Sequence, residues 1–162
     1  MDGTSLATLR EIEQLKYRYL RTLDLKDWDG FADTLAPEVV ADYGGGKLSF
    51  TGRDQVVDFM RTSLGPAIIT VHHCHHPEIE LDGDTARAHW YLEDQVIITE
   101  HRLVLTGAAF YDDRYVRRDG RWWITATGYE RTFEAMQSLD DTPSWRLTAN
   151  RWAAPSDAPA PA

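Results

Sequence analysis

Apolar side chains recur at three- and four-residue steps from Ser5 to Leu23, at Leu6, Leu9, Ile12, Leu15, Tyr19, Leu20 and Leu23. That is the period of a helix with one buried stripe. Arg10, Glu11, Glu13, Lys16 and Arg18 fall to its solvated side, and Thr4 or Ser5 can cap it. Asp27 is placed to cap a short second helix carrying Trp28, Phe31 and Leu35. Pro37 ends that helix, because proline disfavours helical backbone at the residue before it. A strand follows from Val39 to Tyr43, then the turn Gly44-Gly45-Gly46 and a short strand from Leu48 to Phe50. A third helix from about Arg53 to Leu64 puts Val56, Val57, Met60 and Leu64 on one side and stops at Gly65-Pro66.

Beyond Pro66 the period changes. Ile68 to His76, Ile79 to Leu81, Thr85 to Ile98, Leu103 to Arg117 and Trp122 to Phe133 are rich in β-branched and aromatic residues, with turn pairs at Asp82-Gly83 and Asp119-Gly120. Helices gathered before hairpin-connected strands predict an α+β domain with helices on one face of a curved antiparallel sheet. One such domain over residues 1–152 is expected, followed by a disordered Ala/Pro-rich tail over 153–162.

Charge narrows the function. Among 162 residues, 17 are Lys or Arg and 26 are Asp or Glu, a net charge of −9. That balance argues against nucleic acid or an anionic membrane as partner, since both need clustered cations. The single cysteine, Cys74, excludes an internal disulfide. The first helix is charged where a signal peptide is apolar, so a cytoplasmic location is expected.

The densest candidate chemistry is His72-His73-Cys74-His75-His76. Strand alternation puts His72, Cys74 and His76 on one face and His73 and His75 on the other. Neighbouring side chains on one face point in parallel, and tetrahedral closure needs ligands from elsewhere, so no metal site is expected. Tyr19 and Asp24 stand five residues apart near the end of the first helix. Asp94 shares a strand face with Trp90, Leu92 and Val96, where a carboxylate is costly unless it is paired or functional.

The segments LKYRYLRTLDLKDWD (15–29), GGKLSF (45–50), HHCHHPEI (72–79), RAHWYLED (87–94), GAAFYDDRY (107–115) and DGRWWITATGYERTFE (119–134) carry a resemblance. The chain resembles the SnoaL-like dehydratases and cyclases of the nuclear-transport-factor-like superfamily. Within that group it is most similar to the bile-acid 7-alpha-dehydratase family, which is related to scytalone dehydratase. The resemblance implies a cystatin-like cone, a curved antiparallel sheet closed by three helices around a ligand cavity. Carried over residue by residue, it implies catalytic roles for Tyr19, Asp24, His72 and Asp94. His75 also matches, whereas His73 and His76 depart from the pattern.

Removing water from a carbon next to an activated C–H requires a base, a donor to the developing enolate oxygen, and an acid for the departing hydroxyl. His72 is suited to be the base, Asp24 or Asp94 can fix its tautomer, and Tyr19 can donate to the carbonyl oxygen. No cofactor is required. Tyr43, Phe50, Trp90, Phe110, Trp123 and Tyr129 can supply an apolar wall, and His75 joins the residues expected to touch substrate. The expected activity is a cofactor-independent dehydratase acting on a steroid- or polyketide-like carbonyl compound, free or carried as a thioester. Alternatives are a polyketide cyclase, a ketosteroid-isomerase-like enzyme, and a non-catalytic ligand-binding or subunit protein of the same fold. The resemblance also implies a homo-oligomer, with a trimer favoured. Trp122 and Trp123 on opposite strand faces leave one free for such a contact.

Overall fold

A computed structural model describes residues 3–153. Of the tail expected over 153–162, residues 154–162 lie outside the described residues, as do the capping side chains of Thr4 and Ser5.

Three helices, α1 (Gly3–Leu25), α2 (Trp28–Ala32) and α3 (Arg53–Ser63), pack on a six-stranded sheet. The strands are β1 (Leu35–Tyr43), β2 (Leu48–Thr51), β3 (Ile68–Asp82), β4 (Thr85–Ile98), β5 (Leu103–Arg118) and β6 (Arg121–Ser138), in spatial order β2-β1-β6-β5-β4-β3. This is the α+β class that the pattern predicts. One pairing departs from the antiparallel expectation: β1 runs parallel to β6, while the other four pairings are antiparallel. Nearly half of the chain intervenes between β1 and β6, so no hairpin constrains their direction. Among the described residues, no helix is long and apolar enough to cross a membrane.

The second helix is shorter than predicted. Asp27 does cap it, accepting from the Gly30 N–H at 3.0 Å, but Leu35 belongs to β1 and is fully buried there. Pro37 forces the preceding backbone into extended conformation, and two buried residues, Leu35 and Ala36, seat that extended run on the core.

A second departure lies in α1. Lys16, assigned by charge to the solvated side, is fully buried. It follows Ile12 by four residues and precedes Tyr19 by three, so its position is in the middle of the stripe. Leu6, taken as the start of that stripe, is exposed.

The third departure is a β-bulge. The two segments predicted around Pro77 are one strand, in which His75 pairs with Tyr91 and Glu78 with His89, so that His76 and Pro77 together oppose Trp90. Pro77 has no N–H to give the ladder, and His76 takes φ +51°. The extra residue breaks alternation and leaves His76 exposed, off the face shared by His72 and Cys74.

β3 ends the sheet, and the C-terminal end of α1 covers part of its open edge. Asp24 accepts the His72 backbone N–H at 2.9 Å, and Lys26 donates to the Ile68 carbonyl at 2.8 Å.

Candidate active site

The concave face is built in layers, because antiparallel register places inward residues of adjacent strands side by side. In the layer nearest the end of α1, His72 on β3 pairs with Asp94 on β4, and Asp94 with Gly107 on β5. A deeper layer contains Trp90, Tyr111, Tyr129 and Tyr43, with Trp90 opposite Tyr111, Tyr111 opposite Tyr129, and Tyr129 beside Tyr43. Four residues of strand separate the two, about 13 Å, and Cys74, Leu92 and Ala109 form the layer between them.

Asp24 is held by three donors: the Thr70 hydroxyl at 2.8 Å, the His72 N–H at 2.9 Å, and His72 Nδ1 at 2.6 Å. A carboxylate only accepts here, so Nδ1 carries a proton and Nε2 is left as the basic nitrogen. The His72 side chain keeps 12% of its surface exposed. A cavity of about 420 Å³ opens against it along the edge of β3, lined by Tyr17, Leu20, Arg21 and Asp24 of α1 and by His73, Cys74 and His75 of β3. Larger clefts, of about 640 Å³ between α1 and the β5–β6 turn and about 1090 Å³ beneath residues 147–153, touch neither member of this pair.

Of the two aspartates, Asp24 is therefore the one in contact with the imidazole. Asp94 faces a partner that the sequence reasoning missed. Arg131 on β6 donates to both of its oxygens at 2.8 Å, and its Nε meets Glu134 at 2.8 Å. The guanidinium crosses β5 over Gly107, where an added Cβ would collide with Arg131 Nη1. Strict alternation counted from Trp122 puts Arg131 on the outer face. The register shift between Arg114 and Tyr115, where Thr125 is the extra residue, brings it inside. The pair holds the guanidinium proton well above its usual range, the hydrogen bonds to Asp94 being the main cause.

Tyr19 is fully buried, and its hydroxyl lies 2.9 Å from that of Tyr43. Burial pushes both phenols well above their ordinary pKa, so both are neutral donors at neutral pH. The Tyr129 ring centroid lies 5.5 Å from that of Tyr43, with the rings tilted, and 5.5 Å from that of Tyr111, which it meets edge-on. Phe50 sits between Tyr43 and Phe59 of α3.

The structure brings Tyr19, Asp24, His72, Asp94, Tyr43 and Tyr129 to one side of the sheet, with Phe50 at its margin. Three expected contacts lie elsewhere. His75 and Phe110 flank Tyr91 on the convex face, where His75 also meets Glu93 at 3.3 Å. Trp123 is on that face too, under the Arg121 guanidinium. Trp90 is inward but fully buried, donating to the Tyr115 hydroxyl at 3.1 Å. Among the described residues no three His, Cys, Asp or Glu side chains gather as a metal-binding group.

The chain that builds these helices and this curved sheet matches one family model. The SnoaL-like domain model covers residues 4–128, and the chain belongs to that family. Solved structures with the same fold include a candidate scytalone dehydratase from Novosphingobium aromaticivorans DSM 12444. It has TM-score 0.77 and 21% identity over 83% of this chain and 91% of that one. Another is a hexachlorocyclohexane dehydrochlorinase, LinA type 2, with TM-score 0.76 and 19% identity over 83% and 91%. The LinA type 3 enzyme of Novosphingobium barchaimii LL02 gives TM-score 0.74 and 18% identity over 82% and 92%. At these identities the likeness is one of fold.

Proposed function

We propose that this protein is a cofactor-independent lyase that removes water from a hydroxylated carbonyl compound. The observation that carries the reading is the His72–Asp24 pair, bonded at 2.6 Å through Nδ1 beside an open cavity. His72 Nε2 takes the proton from the carbon next to the carbonyl. Asp24 keeps the imidazole in the tautomer that can do so and stabilises the imidazolium that forms. The Tyr19–Tyr43 hydroxyl pair, deeper on the same face, supplies neutral donors for the enolate oxygen. Asp94 and Arg131 border the same face, where the guanidinium favours the departing oxygen, which takes the proton from the His72 imidazolium and leaves as water, restoring the neutral imidazole.

The solved relatives support elimination as the reaction type, since loss of water and loss of hydrogen chloride both begin with removal of a C–H proton. The substrate class proposed is a flat, apolar ring compound such as a hydroxy-ketone steroid of the bile-acid type, seated against Tyr43, Tyr129 and Phe50. The protein is further proposed to work as a homo-oligomer, with trimer as the first expectation.

The test uses two substrates. One is a β-hydroxy or vinylogous hydroxy ketone steroid, whose dehydration appears as growth of conjugated-enone absorbance. The other is 2-tetralone, whose α-protons exchange in deuterium oxide if a base removes them. His72→Ala is expected to lose both reactions. Exchange that persists unchanged in His72→Ala overturns the reading.

A further inference from the structure

Beneath the tyrosine layer lies a buried ion pair that the proposed mechanism does not use. Lys16 Nζ and Asp113 Oδ2 are 2.7 Å apart, and both side chains are fully buried. Asp113 also accepts from the Tyr115 hydroxyl at 2.8 Å and from the Thr127 hydroxyl at 2.8 Å. The ammonium lies 3.3 Å from the centroid of the Tyr111 ring and 4.7 Å from that of Tyr19. Such a pair adds little to stability, because withdrawing two charges from water offsets their attraction, and an apolar pair of the same size often serves as well.

Its placement explains its presence. Lys16 precedes Tyr19 by three residues on α1, Asp113 follows Tyr111 by two on β5, and Thr127 precedes Tyr129 by two on β6. The tyrosines form a chain: Tyr19 to Tyr43 through their hydroxyls, Tyr43 to Tyr129, and Tyr129 to Tyr111 by ring contact. The ammonium closes that chain into a ring by lying against both Tyr111 and Tyr19. A cation over two aromatic faces fixes their relative position more strictly than apolar contact does.

We infer that Lys16 and Asp113 are positioning residues for the Tyr19–Tyr43 hydroxyl pair. Asp113, anchored by Tyr115 and Thr127, holds the ammonium in place. The ammonium holds the Tyr19 ring, and through it the site at which the enolate oxygen is bound. The inference rests on the proposed role of that hydroxyl pair and extends it to residues that never meet substrate.

Single substitutions leave one buried charge without its partner and can unfold the protein, so the test is the double variant Lys16→Met/Asp113→Asn. Methionine keeps contact with the rings, and asparagine keeps the shape of the carboxylate, its oxygen accepting from one of the two hydroxyls and its NH2 donating to the other. Two readouts are used: exchange of 2-tetralone, and the fluorescence of bound 2-naphthol, whose ionised and neutral forms emit differently and whose oxygen stands in for an enolate. The double variant is expected to melt within a few degrees of the wild type. Its exchange kcat should fall about tenfold to a hundredfold with KM little changed, and the naphtholate fraction should fall to that of Tyr19→Phe. Adding Tyr19→Phe to the double variant should then change little, since the two act as one unit.

Wild-type kcat and naphtholate fraction in the double variant overturn the inference while leaving the lyase reading in place. A double variant that loses the folded state makes the pair a core element only and overturns it as well. If Tyr19→Phe alone has no effect, the hydroxyl role and the inference fall together.

Discussion

Asp24→Ala separates the structural from the chemical work of one carboxylate. Asp24 accepts from the Thr70 hydroxyl, from the His72 backbone N–H and from His72 Nδ1. At about 1 kcal/mol for each bond to a neutral donor, with the imidazole bond at the upper end and the orphaned backbone N–H adding a penalty, the loss is about 3–5 kcal/mol. The Asp24 side chain is 23% exposed, so water replaces part of this, and about 2–4 kcal/mol is expected. For a domain of this size that lowers the melting temperature by about 5–15 °C. At 25 °C the variant remains largely folded, which lets activity be read separately. 2-Tetralone exchange should fall by about 10² to 10⁴, as for loss of the base itself. Thr70→Ala is the control: about 1 kcal/mol in the wild type and almost nothing in the Asp24→Ala background. A melting temperature within a degree of wild type refutes the three-bond anchor. Exchange at the wild-type rate in folded Asp24→Ala refutes the dyad.

Four other outcomes are expected. His72→Ala should keep a native circular dichroism spectrum while proton exchange falls by about 10² to 10⁴, with His73→Ala and His76→Ala, both exposed, unchanged in the same assay. Arg131→Met and Gly107→Ala should each cost about 2–4 kcal/mol in urea unfolding and should not add when combined, because both break the Arg131–Asp94 contact. Burial pushes the Cys74 thiol up to about 12, so Ellman's reagent at about pH 8 should modify it only after urea is added. Burial also raises Tyr19, Tyr43, Tyr111 and Tyr115. Their contribution to stability is complete below the unfolded tyrosine pKa of about 10 and is lost as pH rises through their folded values. Phenolate absorbance and circular dichroism should therefore change together on alkaline titration.

The helices and hairpins were legible because period and turn chemistry are local properties. His72 could be assigned to the inner face because it precedes the bulge. His76 could not, since the extra residue that turns it outward leaves no mark in an alternating count. Arg131 was hidden for the same reason on β6. Lys16 was misassigned because charge outweighed position: its spacing from Ile12 and Tyr19 was that of a core residue, and only the buried Asp113, far along the chain, makes a lysine tolerable there. Which aspartate faces His72 was also beyond the sequence. Register makes Asp94 its cross-strand partner, yet the side chains turn apart because a guanidinium claims one and α1 delivers the other.

The cover that α1 places over β3 ties chemistry to solubility. β3 is a 15-residue edge strand, and such edges recruit other strands unless blocked. Asp24 occupies one of its outward N–H groups and Lys26 one of its carbonyls. A substitution at Asp24 thus uncovers a template for intermolecular pairing as well as stopping the reaction, whereas a substitution of the His72 ring leaves the backbone bond in place. A descendant of this protein that abandons catalysis is free to lose the histidine, but losing the aspartate first would expose it to aggregation.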